Sequence, residues 1–376
     1  MTSTPLQLDG VDRALLPFGE SRMLPAQCYT SGAVFAWERR AFLAGSWFCA
    51  GRADELRGDG TTQVATTAGD VGVLLTWDGD DVRAFANVCR HRGHELLADG
   101  HASPRRTVLC PYHAWTYDLA GNLRGAPGFR DMAAFDPDAH GLVSLPVQTW
   151  HGWVFVNATG DAPPFAEHLG GLAELIAPYA PERLFRRERH DYELAANWKV
   201  IAENYHECYH CPLIHPELCA VSPPTSGRNW KLPGAWIGGV MDLAQDADTM
   251  SLDGRSHAPA IPGADPREVA YVQVFPNLLI SAHPDYVMTH RLVPTAVDRT
   301  LVECSWYFVD PDVDPSYAVE FWDLTNRQDW AACESVQRGL ASPHFSPGPL
   351  APNEDAVYDF VAMAARGYLG RPLATT

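Results

Sequence analysis

The sequence lacks the features expected of a membrane-spanning or nucleic-acid-binding protein. No run of about 18 apolar residues occurs, so no membrane-spanning helix is expected. Positive charge is scarce: 28 lysines and arginines compare with 46 aspartates and glutamates, which gives a formal net charge of −18. A surface this acidic repels phosphate backbones, which argues against nucleic-acid binding and weakly favours a cationic ligand or partner.

Targeting signals, repeats and dinucleotide-binding motifs are also missing. Met1–Asp12 has neither the basic segment nor the apolar stretch of a secretory signal, so a cytoplasmic location is expected. Gly58-Asp59-Gly60 is only a turn, and no Gly-x-Gly-x-x-Gly follows a strand pattern. Nine cysteines, an odd number in a chain long enough to fold without disulfides, predict reduced thiols that serve as core residues or metal ligands.

The order of strand and helix patterns predicts an α+β protein with two domains. Runs rich in β-branched and aromatic residues, separated by turn residues, predict an all-β module over residues 45–158. Its predicted strands are 71–77, 82–88, 107–109, 114–118 and 148–157. The N-terminal segment, residues 1–44, leads into a short helix at about 32–46 and is expected to pack on the second domain.

The second domain is predicted to begin at a proline-rich stretch. Asp161-Ala162-Pro163-Pro164 marks the boundary, and residues 159–376 follow the β module. Predicted helices lie at about 165–178, 197–210 and 316–340, and predicted strands at about 269–281, 286–293 and 300–309. This order indicates helices packed on an antiparallel sheet.

Two loops of the β module each carry one cysteine and one histidine. Cys89-Arg90-His91 and Cys110-Pro111-Tyr112-His113 each follow a predicted strand, so neighbouring loops offer two thiolates and two imidazoles. A single such pair would be interpreted as a buried cysteine beside an incidental histidine. Two pairs predict a metal site, which is either a structural zinc ion or a [2Fe–2S] cluster with two cysteines on one iron and two histidines on the other.

A second group of metal-binding residue types belongs to the helix predicted at 197–210. Glu207 and His210 share one helix face, and His215 follows just after the predicted helix end. This could be a solvated polar face, or Cys208 and Cys211 could hold zinc together with the two histidines. Two histidines with one distant carboxylate would instead form the facial triad that binds Fe(II) and leaves coordination positions open.

The third ligand of such a triad must come from farther along the chain. On the helix predicted at 316–340, Asp329 lies on a largely apolar stripe that should pack inward. Asp323 lies on a charged stripe that should contact water. Because a carboxylate on an inward stripe needs a partner such as a metal, Asp329 is the predicted ligand.

Together these motifs resemble the catalytic alpha subunits of Rieske-type non-haem iron ring-hydroxylating oxygenases. The resemblance rests on Cys89-Arg90-His91-Arg92-Gly93, on Cys110-Pro111-Tyr112-His113-Ala114-Trp115 and on Glu207-Cys208-Tyr209-His210-Cys211-Pro212, and it covers about residues 30–370. It implies an all-β Rieske domain followed by a helix-grip (START-like) catalytic domain. It also implies a [2Fe–2S] cluster on Cys89, His91, Cys110 and His113.

The same resemblance assigns roles in the second domain. It implies that His210, His215 and Asp329 hold mononuclear Fe(II), and that Glu207 links the two metal centres between subunits of a homotrimer, through His113 of one subunit and His210 of the next. It also implies that Asn204 acts at the catalytic site. Dioxygen would be the co-substrate, and electrons from NAD(P)H would arrive through a separate flavin- or ferredoxin-type reductase.

The implied substrate is a small organic molecule. The motifs are most similar to the branch that oxidises glycine betaine, carnitine and stachydrine, which implies oxidative N-demethylation of a quaternary or methylated amine. Glu207 occupies a position where many members have aspartate, and His206 is not part of the usual pattern. The alternative is hydroxylation or O-/N-demethylation of an aromatic compound. The region 230–285 should line the pocket, with Trp230, Trp236, Met241, Tyr271 and Phe275 as candidate walls.

Overall fold

The computed structural model describes residues 8–58 and 60–374. Met1–Gln7 and Asp59 lie outside the described residues, as do Thr375 and Thr376. The predictions for residues 1–7 and for the turn at Asp59 therefore concern residues outside the described ranges. The chain forms two compact units, here called the β unit (Glu38–Phe165) and the helix–sheet unit (residues up to Trp37 and from Ala166 onward).

The β unit contains three small antiparallel sheets. Its strands are β1 (Phe48–Arg52), β2 (Gln63–Ala68), β3 (Val71–Asp78), β4 (Asp81–Ala86), β5 (Ala102–Ser103), β6 (Thr107–Leu109), β7 (Thr116–Asp118), β8 (Leu123–Gly125), β9 (Ser144–Leu145), β10 (Val147–Trp150) and β11 (Trp153–Val156). They pair in the orders β1-β11-β10, β5-β2-β3-β4-β9 and β6-β7-β8. The predicted strand 148–157 is thus a hairpin, because Gly152 has a positive φ of 85° between β10 and β11.

The edges of the β unit extend beyond the range 45–158 suggested by the sequence. A π-helical segment, Arg39–Ala44, precedes β1. Its Arg39 side chain donates to the Gly69 carbonyl, and the Ala158 N–H donates to the Ala44 carbonyl at 2.9 Å. These hydrogen bonds attach residues 39–44 to the strands.

Most of the described helices are short, and the two long ones come last in the chain. They are α1 (Gln27–Thr30), α2 (Gly32–Glu38), α3 (Ala53–Arg57), α4 (Phe165–Leu169), α5 (Leu172–Ile176), α6 (Trp198–Tyr205), α7 (Cys211–Ile214), α8 (Pro216–Val221), α9 (Ser316–Leu340) and α10 (Asp355–Tyr368). Short 3-10 turns occur at Val11–Leu15, Pro137–His140, Ala177–Tyr179 and Pro181–Arg183. None of the helices in the described part of the chain combines the length and apolar character that a membrane span requires.

The helix–sheet unit is built on one seven-stranded antiparallel sheet. Its strands are β12 (Phe185–Leu194), β13 (Arg228–Asn229), β14 (Trp236–Asp242), β15 (Glu268–Val274), β16 (Leu278–Ala282), β17 (Tyr286–Ala296) and β18 (Arg299–Phe308). They follow the order β12-β18-β17-β16-β15-β14-β13. Helix α9 contacts α6 and β12, and α10 contacts α6 and β14. The architecture is α+β, as predicted.

Helix α6 is shorter than the helix predicted at 197–210. Asn197 begins it, because its side chain accepts a hydrogen bond from the Lys199 N–H at 3.0 Å. The helix ends at Tyr205, and the Glu207 carboxylate then accepts hydrogen bonds from the backbone N–H groups of Tyr209 and His210. A side chain that satisfies backbone donors in this way competes with helix continuation, and a turn results.

Candidate metal centres

The two cysteine–histidine loops lie at the ends of neighbouring hairpins in the β unit. The first follows β4 and closes through a hydrogen bond from the Cys89 N–H to the His94 carbonyl at 2.8 Å. The second joins β6 to β7 and closes between the Cys110 N–H and the Trp115 carbonyl, also at 2.8 Å. Both cysteines are buried and neither is in a disulfide. The loops therefore hold their thiols beneath the protein surface.

The two thiols share one environment. Burial raises the pKa of the Cys110 thiol, and the neighbouring Cys89 adds to the rise. The Tyr117 hydroxyl accepts from the Arg90 N–H at 3.1 Å and lies 3.3 Å from the Cys89 sulfur, to which it can donate. Two adjacent buried sulfurs with a hydroxyl donor suit a cluster, because hydrogen bonds to the sulfurs tune its reduction potential.

The imidazoles form a second pair beside the sulfurs. The rings of His91 and His113 are 4.6 Å apart between centroids, and His91 stacks on Trp115 at 4.9 Å. His91 Nδ1 is buried and has no hydrogen-bond partner among the described residues. An unpaired buried nitrogen is costly, and a metal ion would satisfy it.

The arrangement of these four side chains argues against the zinc alternative. One tetrahedral zinc ion, with zinc–ligand distances of about 2.0–2.3 Å, would gather all four donor atoms around one point. Residues 8–58 and 60–374 contain one set of three or more metal-binding side chains whose donor atoms lie within 4.8 Å of one another. This set belongs to the helix–sheet unit and does not include the four side chains of the β unit. A sulfur pair beside an imidazole pair fits a two-iron cluster, in which each pair serves its own iron.

That set in the helix–sheet unit is His210, His215 and Asp329. His210 precedes α7, His215 lies between α7 and α8, and Asp329 is on α9. The two Nε2 atoms are 3.2 Å apart. Asp329 Oδ1 lies 2.8 Å from His215 Nε2 and 3.3 Å from His210 Nε2. The fold thus brings Asp329 to two histidines that lie more than a hundred positions earlier in the chain.

Hydrogen bonds fix the tautomers of both histidines. His215 Nδ1 donates to Gln328 Oε1 at 2.7 Å, and His210 Nδ1 donates to the Glu207 carboxylate. In the neutral form that binds a metal, each ring therefore has its lone pair on Nε2, the nitrogen that faces Asp329. Two imidazole lone pairs and one carboxylate are the donor set of the facial triad that binds Fe(II).

The electrostatics of this set indicate that it stabilises positive charge. Burial lowers the pKa of His210, but contacts with Asp329 and Glu207 outweigh it and raise that pKa to about 10. The pKa of Asp329 is lowered: burial raises it, but the two histidines outweigh that effect. A bound divalent cation would supply the positive charge that the site favours.

The other expectations for this region are met only in part. Cys208 and Cys211 form a disulfide, so they are not the free thiols that were predicted, and the zinc alternative loses its sulfur ligands. Asp323 does not simply contact water: it accepts from the Tyr192 hydroxyl at 2.7 Å and pairs with Arg327. Asp323 thus attaches α9 to β12 and is not near the triad group.

A cavity of about 530 Å³ adjoins the triad. Among the candidate wall residues, Met241 and Tyr271 line it, as does Asn204. Trp230, Trp236 and Phe275 do not; Trp236 and Phe275 are core residues, 5% and 0% exposed. Sequence patterns did not identify Gln328, although it is the immediate neighbour of Asp329.

Comparison with known proteins agrees with this geometry. Residues 181–370 match the ring-hydroxylating alpha subunit catalytic domain, and residues 46–136 match the Rieske [2Fe–2S] domain. The carnitine monooxygenase oxygenase subunit of Acinetobacter baumannii is 30% identical and covers 85% of this chain and 85% of that protein. The glycine betaine monooxygenase oxygenase subunit of Chromohalobacter salexigens is 28% identical over 90% of this chain and 84% of that protein.

Solved structures of Rieske oxygenases are also similar to this chain. The quaternary ammonium Rieske monooxygenase CntA in complex with its substrate L-carnitine superposes with a TM-score of 0.78 at 25% identity, over 96% of this chain and 100% of that chain. Naphthalene 1,2-dioxygenase from Rhodococcus shares the fold, with a TM-score of 0.73 at 18% identity, over 96% of this chain and 97% of that chain.

Fold and donor sets together define a two-domain oxidoreductase, with a Rieske [2Fe–2S] domain and a mononuclear non-haem iron domain. The chain belongs to the family of Rieske-type ring-hydroxylating oxygenase alpha subunits. The predicted family and fold class are therefore confirmed.

Proposed function

We propose that this chain is the terminal oxygenase of a multicomponent system that uses dioxygen to remove a methyl group from a quaternary or methylated amine. The observation that carries the proposal is the wall of the cavity beside His210, His215 and Asp329. Its aromatic rings and its charge suit a cationic organic substrate. The names of the relatives, which refer to glycine betaine and carnitine, support the same substrate class.

Five rings form a continuous wall along the cavity. In order they are Trp322, Tyr271, Tyr205, His290 and Trp330, with successive centroid distances of 6.4, 6.0, 6.3 and 5.8 Å. Successive ring planes are inclined by 66° to 88°. Rings that stand nearly perpendicular to one another enclose a rounded group better than a flat one. Desolvated cation–π contacts of this kind contribute about 2 kcal/mol or more.

The charge of the cavity also favours a cation. Arg228 is the only lysine or arginine among the described lining residues, and it is paired with Asp242 and Glu268. Burial lowers the pKa values of His206 and His290 to about 4, so both rings are neutral at pH 7. A methylated ammonium group therefore meets no uncompensated positive side chain there.

The proposed site roles follow from the donor sets described above. Cys89, His91, Cys110 and His113 would hold the [2Fe–2S] cluster, and His210, His215 and Asp329 the mononuclear iron. When bound, the cluster stores single electrons and the Fe(II), with open coordination positions, activates dioxygen. Glu207 and Gln328 hold the two histidine rings in place by accepting their Nδ1 hydrogens. Asn204 lines the cavity and keeps its proposed catalytic role.

The overall reaction balances with one dioxygen, two electrons and two protons. One oxygen atom hydroxylates a methyl carbon bound to nitrogen, and the other leaves as water. The resulting carbinolamine breaks its carbon–nitrogen bond and yields formaldehyde and an amine with one methyl fewer. The electrons are proposed to come from NAD(P)H through a separate flavin- or ferredoxin-type reductase, because the relatives are named as oxygenase subunits of larger systems.

A homotrimer is part of the proposal. In it, Glu207 of one copy would also accept from His113 of the next copy. Large side chains beside both residues support this: Tyr112 is 52% exposed, Tyr209 62% and Leu213 89%. Apolar surface of this kind is commonly covered by another chain. We expect Leu213→Asp to lower the mass measured by light scattering from three chains toward one, and an unchanged mass would contradict this interface.

The substrate class is tested with two variants at one position. Tyr271 contributes a ring to the wall, and its hydroxyl has no partner among the described residues. If the ring holds an ammonium group, Tyr271→Leu should weaken the binding of methylated ammonium compounds at least about tenfold, whereas Tyr271→Phe should preserve it. Binding is measured by calorimetry on the oxidised holoenzyme, and products by formaldehyde release with a surrogate reductase. Hydroxylation of benzoate-like aromatics with no response to betaines would replace this proposal by the aromatic alternative.

A further inference from the structure

His206 lies in the chain between α6 and the proposed metal ligand His210, and it has none of the roles proposed above. It directly follows α6, lines the cavity and is only 7% exposed. Its ring packs against Tyr205 and Phe360, with centroid distances of 5.5 and 6.0 Å. A buried imidazole in the wall of a cavity presents a specific pattern of donors and acceptors, which its neighbours determine.

One neighbour fixes the tautomer of this ring. Gln273 Nε2 donates to the Pro276 carbonyl at 3.0 Å, and a carbonyl can only accept. The amide orientation of Gln273 is therefore set, and its Oε1 is directed at His206 Nε2, 2.9 Å away. Because Oε1 can only accept, Nε2 must carry the hydrogen. The neutral ring consequently has its lone pair on Nδ1.

That lone pair has no partner within residues 8–58 and 60–374. His206 Nδ1 accepts no hydrogen bond from the residues that the structure describes. His290 also lines the cavity, but its Nδ1 atom is fully buried by surrounding atoms. The Nδ1 atom of His206, in contrast, is not fully buried. His206 therefore offers the cavity a neutral acceptor with a fixed direction. Burial lowers the pKa of His206 to about 4, so this acceptor persists at neutral pH.

We propose that His206 Nδ1 is a specificity-determining acceptor, which selects methylated ammonium substrates that carry a hydrogen-bond donor. The inference rests on the proposed function and narrows its substrate class. Two chemical sources provide such a donor: a hydroxyl group on the chain of a quaternary ammonium, or the N–H of a tertiary ammonium. A substrate with neither leaves Nδ1 buried and unpaired, which disfavours its binding. A carboxylate does not fit at this position, because two acceptors repel.

Binding of matched ligand pairs tests the proposal. L-carnitine differs from γ-butyrobetaine, and choline from ethyltrimethylammonium, only in a hydroxyl group. N,N-dimethylglycine has the N–H that glycine betaine lacks. Calorimetry on the oxidised holoenzyme, without reductant, measures binding in the absence of turnover. In at least one pair we expect the donor-bearing member to bind about twofold to tenfold more tightly. The pair that responds identifies the source of the donor.

Variants assign the preference to the ring nitrogen. His206→Phe keeps a ring but removes the acceptor, and should abolish the difference within the responding pair. His206→Asn can place its amide oxygen near the Nδ1 position and should retain part of the difference. His290→Phe is the matched control, because the fully buried nitrogen of His290 should have no effect on the difference. Metal content and the visible spectrum verify that each variant is folded.

Gln273 gives an independent route if the His206 variants fail to fold. Gln273→Leu keeps the imidazole but frees the hydrogen to move to Nδ1, so the preference for donor-bearing ligands should shrink while metal content stays unchanged. Equal binding within all three pairs by the native protein would overturn the inference and leave the proposed function intact. A preference that survives in His206→Phe would also overturn it. If no methylated ammonium compound binds, the proposed function fails, and the inference fails with it.

Discussion

Two aspartates on α9 provide the sharpest test of the metal-centre assignment. Asp329 lies with His210 and His215, whereas Asp323 is six residues earlier on the same helix. Because both are aspartates of one helix, Asp329→Ala and Asp323→Ala remove the same atoms from the same type of backbone. We nevertheless expect Asp329→Ala to impair metal binding and Asp323→Ala to lower stability.

For Asp329→Ala the expected loss concerns iron. Removing a residue that only hydrogen-bonds to a metal ligand typically weakens metal binding about 10- to 100-fold. Asp329 Oδ1 lies within 3.3 Å of both Nε2 atoms and belongs to the donor set itself. We therefore expect a loss beyond that range, with no detectable oxygenation. The cluster should be retained, because its four proposed ligands belong to the β unit.

For Asp323→Ala the expected loss concerns stability. The Asp323 carboxylate accepts from Tyr192 at 2.7 Å and from Arg327 at 2.8 Å, and its side chain is 26% exposed. Hydrogen bonds to a charged group contribute about 1.5–3 kcal/mol each when buried, and partial exposure reduces this. A loss of about 1–3 kcal/mol in the free energy of unfolding is expected, with iron content and turnover unchanged.

The assays are metal analysis, the visible spectrum, urea denaturation and product formation, performed on both variants in parallel. Full iron occupancy in Asp329→Ala, or iron loss in Asp323→Ala, would refute the assignment of the third ligand. An Asp323→Ala variant as stable as the native protein would show that the contacts with Tyr192 and Arg327 contribute little.

Three further outcomes are expected. Gln328→Ala removes the acceptor of His215 Nδ1–H and should weaken iron binding about 10- to 100-fold with the cluster intact; unchanged iron affinity would contradict the role of Gln328. Glu207→Gln should keep both metals but slow the oxidation of the reduced protein by dioxygen, because an amide has only one acceptor oxygen for His210 and its backbone partners; native rates in stopped flow would contradict this. A histidine that is neutral in the folded state takes up a proton on unfolding between about pH 6.5 and 4, so the folded state loses stability as the pH falls through this range. Because burial lowers the pKa of His290 to about 4, His290→Phe should remove about one proton from this uptake and make the urea midpoint depend less steeply on pH. An unchanged slope would contradict the lowered pKa.

Sequence patterns identified the proposed ligand sets because these lie close together in the chain. Cys89 and His91 share one loop, and Cys110 and His113 share another. Short loops keep such spacings independent of how the rest of the domain folds. Asp329 required a further step, and it was found because a carboxylate on an inward helix stripe needs a partner.

Other elements depended on tertiary contacts that local patterns do not encode. The strand Phe185–Leu194 is mostly charged and shows no alternation of apolar residues, and it forms by pairing with β18 at the sheet edge. The strand Trp236–Asp242 has two consecutive glycines, which weaken any strand signal. The cavity walls were likewise only partly predicted, since Trp322 and Trp330 come from α9 and not from residues 230–285.

The hydrogen-bond polarity of the cavity supports the proposed cationic substrate in addition to its rings. Each of the four histidines that line it has one ring nitrogen bonded to a carboxylate or amide oxygen: His210 to Glu207, His215 to Gln328, His206 to Gln273 and His290 to Asn326. In the neutral form of each ring that nitrogen is the donor, so the lone pair lies on the other nitrogen of the ring. For His290 this follows because Asn326 Nδ2 donates to the Cys304 sulfur, which leaves the amide oxygen for the ring. The lone pairs of His210 and His215 suit a bound metal ion and the lone pair of His206 suits the donor hydrogen of an ammonium compound, whereas the lone pair of His290 is buried and does not reach the ligand.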